Sequence, residues 1–329
     1  MNLQPARLTL ELVREAHERI KDKITRTPVM TSATLDRLAT ARLFFKCENF
    51  QKTGAFKARG ATNAVFSLSE SQAQKGVATH SSGNHGAALA RAAQLRGIHA
   101  TVVMPNNAPK AKQESVKRYG GEIAFCEPTL EARERTLERV IADTGACVVP
   151  PYNDLRVMAG QGTTAVELIE DVSGLDVILC PVGGGGLLSG IAVAAKNIRP
   201  SIRVIGVEPA AADDAARSLR SGQIVPSANP TTIADGLRTS LGDKTFAEIR
   251  RYVDDIVTVS EESIVSAMRR IWEVMKIIVE PSGAVGYAAM VESKLDVRNK
   301  RVGLVLTGGN LDLERLPWLT AADESRHRP

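Results

Sequence analysis

The sequence predicts an α/β fold in which parallel β-sheets are flanked by helices on both faces, as two modest domains or one large one. The chain has 329 residues, of which 43% are apolar and only 4% aromatic. Its core is therefore mostly aliphatic, as where helices cover a parallel sheet. Short β-branched runs alternate with helical patterns across short gaps, which is typical of serial βαβ units. This length is enough to bury a substantial core.

The alternation also defines the individual elements. We predict strands over residues 77–80, 99–104, 122–125, 177–180 and 203–207, and helices over residues 84–95, 108–119, 130–144 and 187–197. Gly97 and Gly120 lie just past two of these helical patterns, where a left-handed residue is favoured. Pro150-Pro151 ends the first series of units and is a candidate linker. Ligands of such folds bind where strands end and helices begin, so we examined those loops for function.

Charge and hydropathy exclude several classes of function. The net charge is +5, and the 42 basic and 37 acidic residues interleave along the chain. No basic block or aromatic ladder indicates nucleic-acid binding, so the excess reflects a solvated surface or an anionic ligand. The longest apolar stretch, residues 177–195, is broken by Pro181 and by glycines, and residues 1–12 contain no apolar signal core. We therefore expect a cytoplasmic protein that does not span a membrane.

The cysteines indicate a reducing compartment. Cys47, Cys126, Cys147 and Cys180 show no paired short spacing. We interpret them as buried reduced thiols rather than as disulfides or zinc ligands.

A run of four glycines, Gly183 to Gly186, directly follows a predicted strand and opens a predicted helix. Without Cβ atoms, this backbone can wrap closely around an anion and present N–H groups to it at the positive end of the helix dipole. A tight strand-to-helix turn with no ligand is the alternative. The P-loop and dinucleotide patterns are both absent from this run.

Lys57 lies in the segment Thr53-Gly54-Ala55-Phe56-Lys57-Ala58-Arg59-Gly60. Most lysines of the chain are best interpreted as solvated surface groups. Lys57 differs because glycines flank it, Phe56 precedes it and Arg59 follows two residues later. A nearby cation and partial burial would lower the pKa of its amine and make it nucleophilic toward an aldehyde.

A third loop, Ser81-Ser82-Gly83-Asn84-His85-Gly86, also follows a strand and opens a helix. Its hydroxyls, amide and free N–H groups suit a carboxylate. The alternatives are that Ser81 or Ser82 is a helix N-cap and that His85 is a packed helix residue. No acidic partner is evident for His85, so a catalytic triad is not favoured.

Taken together, the three motifs resemble the fold-type II pyridoxal-phosphate family, in its branch of serine racemases, serine/threonine dehydratases and threo-3-hydroxyaspartate dehydratases. The resemblance runs from Arg26-Thr27-Pro28 to Thr307-Gly308-Gly309-Asn310. It includes Gly160-Gln161-Gly162-Thr163, Val207-Glu208-Pro209, Ala234-Asp235-Gly236 and Glu280-Pro281-Ser282-Gly283-Ala284. It implies two domains like those of the tryptophan synthase β-chain, each an open, twisted, mainly parallel sheet flanked by helices. We assign residues 1–75 and 153–322 to a large cofactor-binding domain, 76–152 to a small mobile domain and 323–329 to a frayed tail.

The resemblance also implies a role for each matching residue. Lys57 is the Schiff-base lysine for pyridoxal 5'-phosphate, and Phe56 lies beside the cofactor ring. The phosphate is bound by Gly183, Gly184, Gly185, Gly186 and the amide of Leu187. Asn84 contacts the ring hydroxyl, and Thr307 faces the pyridine nitrogen, where many family members have serine. The substrate α-carboxylate is bound by Ser81, Asn84 and His85.

These roles imply an ammonia-lyase acting on a small amino acid. The freed amine of Lys57 would remove the Cα proton. A neutral Thr307 makes the ring a weaker electron sink than a carboxylate would, which favours expulsion of a β-hydroxyl over transamination. The products are a 2-oxo acid and ammonia. Ser82 would lie on the face opposite Lys57, so racemisation of serine or aspartate is the alternative activity. A non-catalytic anion-binding module is the non-enzyme alternative, and it would not need Lys57.

Metal and substrate selectivity follow from the same resemblance. Glu208, the Ala212 carbonyl and Asp214 match a divalent-cation site, and their oxygen atoms suit Mg²⁺ or Ca²⁺. Helix capping by Asp213 or Asp214 is the alternative.

Arg133 matches an arginine able to reach a second acid group of the substrate, and Arg238 adds a cation after Ala234-Asp235-Gly236. We therefore expect 3-hydroxyaspartate to be used at least as well as L-threonine, with L-serine a weaker substrate. The alternative is that both arginines pair with surface carboxylates. A homodimer is expected from the family.

Overall fold

Two β-sheets form the framework of the protein, which is described by a computed structural model over residues 7–81 and 83–319. The strands are β1 (Val29–Met30), β2 (Arg42–Cys47), β3 (Val77–His80), β4 (Ala100–Pro105), β5 (Glu122–Cys126), β6 (Cys147–Val148), β7 (Val177–Pro181), β8 (Arg203–Pro209), β9 (Asp255–Val259) and β10 (Arg301–Leu306). The helices are α1 (Leu10–Ile20), α2 (Ala33–Ala39), α3 (Lys57–Phe66), α4 (Glu70–Ala73), α5 (Asn84–Arg96), α6 (Lys110–Lys117), α7 (Leu130–Thr144), α8 (Leu155–Asp171), α9 (Gly186–Ile198), α10 (Asp214–Ser221), α11 (Asp243–Tyr252), α12 (Glu261–Arg270) and α13 (Pro281–Val291).

The strand order confirms the predicted fold class. One sheet has the order β1-β2-β10-β7-β8-β9 and the other β5-β4-β3-β6. Every pairing is parallel except that of β1 with β2. The four-stranded sheet lies wholly within residues 77–148, and the six-stranded sheet is formed by residues on both sides of that segment.

The predicted strands and helices all form, with boundaries shifted by at most two residues. Gly97 and Gly120 adopt φ values of 71°, the left-handed conformation expected after a helix. The four cysteines are free, but only Cys47 and Cys180 are buried. The prediction of four buried thiols was therefore wrong for Cys126 and Cys147, which lie in strands of the smaller sheet and are partly exposed.

Helix α8 passes between α3 and α9 at very short range. A Cβ atom on Gly160 would lie 2.6 Å from the Cα of Gly60 on α3, and one on Gly162 would lie 2.8 Å from the carbonyl oxygen of Gly190 on α9. Larger residues would force these helices apart. Because α3 begins at Lys57 and α9 begins in the glycine run, this packing fixes the starts of both helices relative to one another.

Among the helices of the described segments, none is long and apolar enough to cross a membrane.

Candidate active site

The predicted functional loops follow the carboxyl ends of strands in both sheets. Ser81 follows β3, the glycine run follows β7 and Thr307 follows β10. In parallel α/β sheets this edge is the usual place for a ligand. The structure connects these loops through a short chain of contacts that begins at Lys57.

Lys57 is the first residue of α3, and its amine is buried beside Phe56. The Nζ atom donates a 2.6 Å hydrogen bond to the carbonyl oxygen of Pro151 and lies 5.1 Å from the centre of the Phe56 ring. Burial lowers the pKa of this amine from 10.5 to about 8. About a tenth of this amine is therefore neutral and nucleophilic at pH 7, far more than for an ordinary lysine.

Arg59 does not lower the pKa of Lys57, contrary to our expectation. Its guanidinium is fully buried and bonded to two carboxylates, those of Glu48 and Glu167, at 2.7–2.8 Å. Glu167 also contacts the buried amine of Lys46 at 2.7 Å. The two positive and two negative charges compensate one another. Burial alone accounts for the lowered pKa of Lys57.

The glycine run forms a loop that ends at the first residue of α9. Gly185 is the N-cap residue, with φ of 86° and no side chain to cap the helix. A Cβ on Gly184 would lie 2.3 Å from the ring of Tyr152, and one on Gly183 would lie 2.9 Å from the Cα of Leu237. The Thr245 hydroxyl donates to the Gly184 carbonyl at 2.9 Å. Tyr152, Leu237 and Thr245 therefore pack against the loop. The first backbone amides of α9, including that of Leu187, are candidates to bind an anion.

Tyr152 brings the loop and the lysine together. Its ring packs on Gly184, and its backbone lies where a Cβ on Gly186 would be 3.0 Å from its Cα. The preceding residue, Pro151, accepts the hydrogen bond from Lys57. The glycine run and Lys57 thus contact two adjacent residues, Tyr152 and Pro151 respectively. Tyr152 was not among the predicted site residues, although Pro150-Pro151 was predicted to be a linker.

The loop after β3 contributes Asn84 and the first amides of α5. The N-cap of α5 is Gly83, which excludes Ser81 as the cap residue. Ser82 lies outside the described residues. The side-chain amide of Asn84 donates to Glu280 at 3.0 Å and its Oδ1 accepts from Asn310 at 2.9 Å.

The His85 ring is buried and bonded to the backbone, so it does not offer a side-chain donor to a substrate. It is buried, and its Nε2 lies 2.8 Å from the Val149 carbonyl oxygen. This carbonyl needs a donor, so Nε2 carries the proton and Nδ1 has none to give. Burial, with the charge of Lys57, lowers the pKa of the ring to about 3. A carboxylate could therefore contact only the backbone amide of His85.

Thr307 and Glu280 complete the opposite side of the cleft. The Thr307 carbonyl accepts from the Phe56 amide at 3.0 Å, which ties the end of β10 to the start of α3. Glu280 is only 5% exposed and contacts Asn84 and Asn310. Sequence analysis singled out the Glu280-Pro281-Ser282-Gly283 motif but gave it no role.

Arg133 lies on α7 beside the end of β3. Its Nε is buried and, among the described residues, has no hydrogen-bond partner. His80, the last residue of β3, has its pKa lowered mainly by burial, with Arg133 adding to the effect. Arg238 instead donates its Nε to the carbonyl of Thr232 at 2.9 Å. The structure thus leaves Arg133 available to a ligand and occupies Arg238 in a loop contact.

Glu208 and Asp214 lie together at the start of α10. Glu208 is buried and accepts from the Ala216 amide at 2.7 Å. Burial, with the nearby charge of Asp214, raises its pKa to about 8. The Oδ2 atom of Asp214 is buried and has no partner among the described residues. Asp213 is the N-cap but makes no side-chain cap bond, which contradicts the alternative that its side chain caps this helix.

These observations fit pyridoxal 5'-phosphate. A buried amine of lowered pKa can bond to its aldehyde, and a helix N-terminus with a glycine loop can bind its phosphate. Phe56 lies beside the Lys57 amine, and its own amide is bonded to the carbonyl of Thr307.

Comparison with known proteins agrees with this fit. The chain is 53% identical over 310 residues to the β-hydroxyaspartate dehydratase of Paracoccus denitrificans, covering 94% of this chain and 98% of that protein. It is 51% identical over 311 residues to a serine racemase of Arabidopsis thaliana, covering 92% and 93%. The crystal structure of serine racemase from Dictyostelium discoideum superposes with a TM-score of 0.90 at 47% identity, covering 93% of this chain and 99% of that one. The family described as pyridoxal-phosphate dependent enzymes matches residues 20–308. The protein is therefore an enzyme that belongs to the pyridoxal-phosphate dependent family, as its motifs predicted.

Proposed function

We propose that the protein is an ammonia-lyase that removes water from a β-hydroxy amino acid, with 3-hydroxyaspartate as the preferred substrate, and yields a 2-oxo acid and ammonia. The observation that carries the proposal is the contact of the Lys57 amine, whose pKa is lowered to about 8, with Pro151, the residue before the tyrosine that packs on the glycine run. The similarity to a β-hydroxyaspartate dehydratase supports the substrate.

The reaction requires one base and few other charges. Pyridoxal phosphate, when bound, withdraws electrons from the substrate Cα. The Lys57 amine takes the Cα proton, for which a pKa near the working pH is well matched. The hydroxyl then leaves Cβ as water with the proton that Lys57 took from Cα, and the released enamine reacts with water to give the 2-oxo acid and ammonia. Neutral groups at Thr307 and His85 leave the negative charge at Cα to be relieved by this expulsion.

Arg133 is the residue that we propose reads the second carboxylate of the substrate. Its buried Nε has no hydrogen-bond partner among the described residues, and its charge acts on His80, the residue before Ser81. A charge-assisted contact to a desolvated carboxylate contributes roughly 1.5–3 kcal/mol, or about ten- to over a hundredfold in specificity.

The test compares kcat/KM for 3-hydroxyaspartate, L-threonine and L-serine in the wild type, Arg133→Ala and Arg135→Ala. Arg135 is a matched control because it lies on the same helix, 74% exposed and 4.0 Å from Glu131. We expect Arg133→Ala to lose about ten- to a hundredfold on 3-hydroxyaspartate alone, and Arg135→Ala to match the wild type. Equal losses on all three substrates would show that Arg133 does not read the side chain. A wild-type preference for threonine of more than about tenfold would make the protein a threonine dehydratase.

Racemisation is a second candidate activity, favoured by the similarity to serine racemases. It needs a second acid–base group on the other face of the substrate, and we propose Ser82 for that role. Ser82→Ala should spare elimination from the L-substrate and suppress both racemisation and elimination from the D-enantiomer. Chiral chromatography of the products measures both. An equal loss of all activities would instead assign Ser82 a structural role.

A divalent cation at Glu208, Asp214 and the Ala212 carbonyl is also part of this proposal. The two carboxylates are buried, and Asp214 Oδ2 has no partner within residues 7–81 and 83–319, so both have the chemistry of oxygen ligands. A cytoplasmic homodimer that binds neither nucleic acid nor membrane remains our prediction for location and assembly.

A further inference from the structure

Glu280 is a buried carboxyl whose contacts all come from other parts of the chain. It occupies the N-cap position of α13, yet its side chain makes no cap bond to that helix. One oxygen accepts from the Asn84 amide at 3.0 Å, and the other accepts from the Asn310 backbone amide at 3.1 Å. An N-cap residue ordinarily uses its side chain on its own helix. The side chain of Glu280 therefore bonds to Asn84 and Asn310 rather than to its own helix.

We propose that Glu280 is a positioning residue that holds the side-chain amide of Asn84 in place against the cofactor's ring hydroxyl. The inference rests on the proposed function, because Asn84 contacts that hydroxyl only if the cofactor is bound on Lys57. Asn310 closes the arrangement, since its amide donates to Asn84 Oδ1 at 2.9 Å and to the Thr53 carbonyl at 2.7 Å. Glu280 and Asn310 thus join the start of α5 to the segment after β10.

Close packing holds the carboxyl in this position. A Cβ on Gly308 would lie 2.5 Å from Glu280 Oε1, so the carboxyl fills the space beside that glycine. The Glu280 amide also donates to the Gly308 carbonyl at 2.9 Å. A side chain at position 308 would displace the carboxyl and release Asn84.

The charge environment makes this carboxyl sensitive to pH. Burial, then the charge of Asp235, raises the pKa of Glu280 to about 8, while Asn84, Asn310 and Lys112 act in the opposite direction. Lys112 on α6 is itself paired with Asp235 at 2.7 Å. Glu280 therefore exchanges a proton close to neutral pH, and the strength of its hold on Asn84 changes with it.

Glu280→Gln is the principal test, because Gln keeps the size of the carboxyl but cannot ionise. The wild-type group ionises near pH 4.5 when unfolded and near 8 when folded, so the folded state binds the extra proton between these values. Ionisation then costs stability as the pH rises through this window. For the cofactor-free proteins we therefore expect the melting temperature of the variant, relative to wild type, to increase from about pH 5 to about pH 8.

The cofactor-bound proteins test the positioning itself. The visible absorbance band responds to hydrogen bonding at the ring hydroxyl, so Glu280→Gln should shift it, remove its pH dependence near 8 and lower kcat by about ten- to a hundredfold. Gly308→Ala should shift the band in the same way without removing the carboxyl. Glu248→Gln is the matched control, because that buried carboxyl accepts from the Leu8 amide, away from the cleft. It should leave the band unchanged.

The outcomes separate the two proposals. A wild-type band and pH profile in Glu280→Gln, in a protein that binds the cofactor on Lys57 and turns over, would overturn the role of Glu280 alone. If borohydride reduction and peptide mapping place the cofactor on another lysine, the proposed function fails and the role of Glu280 fails with it. Cofactor on Lys57 without any elimination would refute only the reaction, and the band would still decide the role of Glu280.

Discussion

Two regions of this molecule bury acidic side chains in opposite ways. Around Arg59, Glu48 and Glu167 are fully bonded to cations, and every charge has a partner of opposite sign. At the strand ends, Glu280 and Glu208 are buried beside further acidic groups and contact amides rather than cations. The pKa values follow this difference, since Glu167 is held at about 2 whereas Glu208 and Glu280 are raised to about 8.

The difference separates framework from function. A compensated cluster is stable over a wide pH range and needs nothing from outside the chain. An uncompensated buried carboxylate costs free energy unless it takes a proton or a cation. Groups of the second kind at strand ends are therefore expected where a ligand or a proton is exchanged.

Glu167→Gln should break the compensated region with the largest effect on stability. Removing this carboxylate leaves Arg59 and Lys46 with one buried counter-charge between them, and such a loss costs about 3–5 kcal/mol. Although burial itself raises the pKa of Glu167, its bonds to Arg59 and Lys46 lower it from 4.5 to about 2. The advantage of the wild type is therefore present above pH 4.5 and disappears as the pH falls through about 2. Urea unfolding followed by circular dichroism at several pH values measures both effects.

Glu170→Gln is the control for that change, because Glu170 lies on the same helix, half exposed, and pairs with Arg26 at 3.0 Å. An exposed pair of this kind contributes about 0–1 kcal/mol. Equal destabilisation by the two substitutions would mean that the Arg59 cluster is no more important than a surface ion pair.

The sequence predicted most of the fold and the local parts of the site. The glycine run, Lys57 and the Asn84 loop each lie within a few residues of a strand or helix boundary. Each motif can therefore be recognised from one short stretch of sequence. Strands β1, β2, β6, β9 and β10 were not predicted, and β6 has only two residues. β1 has only two residues, and β2 and β10 begin with arginines and contain a lysine or a glycine. Their strand character comes from burial between neighbours rather than from a local pattern.

Charge compensation could not be predicted, because it depends on residues far apart in the chain. Arg59 was expected to act on Lys57, but one of its partners, Glu167, lies 108 residues away. Glu280 meets Asn84 across 196 residues. A sequence shows the charge of an ionisable side chain but not its partners. The acidic residues around Arg59 and the carboxyl of Glu280 therefore cannot be told apart until the fold is known.

Glu208→Gln should sharpen the comparison, because a bound cation would offset the cost of burying this carboxylate. When a chelator removes free cations, the wild-type carboxylate destabilises the folded protein at high pH. Burial raises the pKa of Glu208 from 4.5 to about 8, so the folded state loses stability as the pH rises between these values. Glu208→Gln should then be the more stable protein at about pH 8. With Mg²⁺ or Ca²⁺ at a free concentration of about 100 times Kd, binding stabilises the wild type by about 2.7 kcal/mol, and the stability difference between the two proteins should narrow by about that amount. Thermal unfolding of both proteins with chelator and with each cation gives the four values needed. If the cation leaves the difference unchanged, the carboxylates at the start of α10 bind no metal, and Glu208 belongs with Glu280 as a proton-holding group.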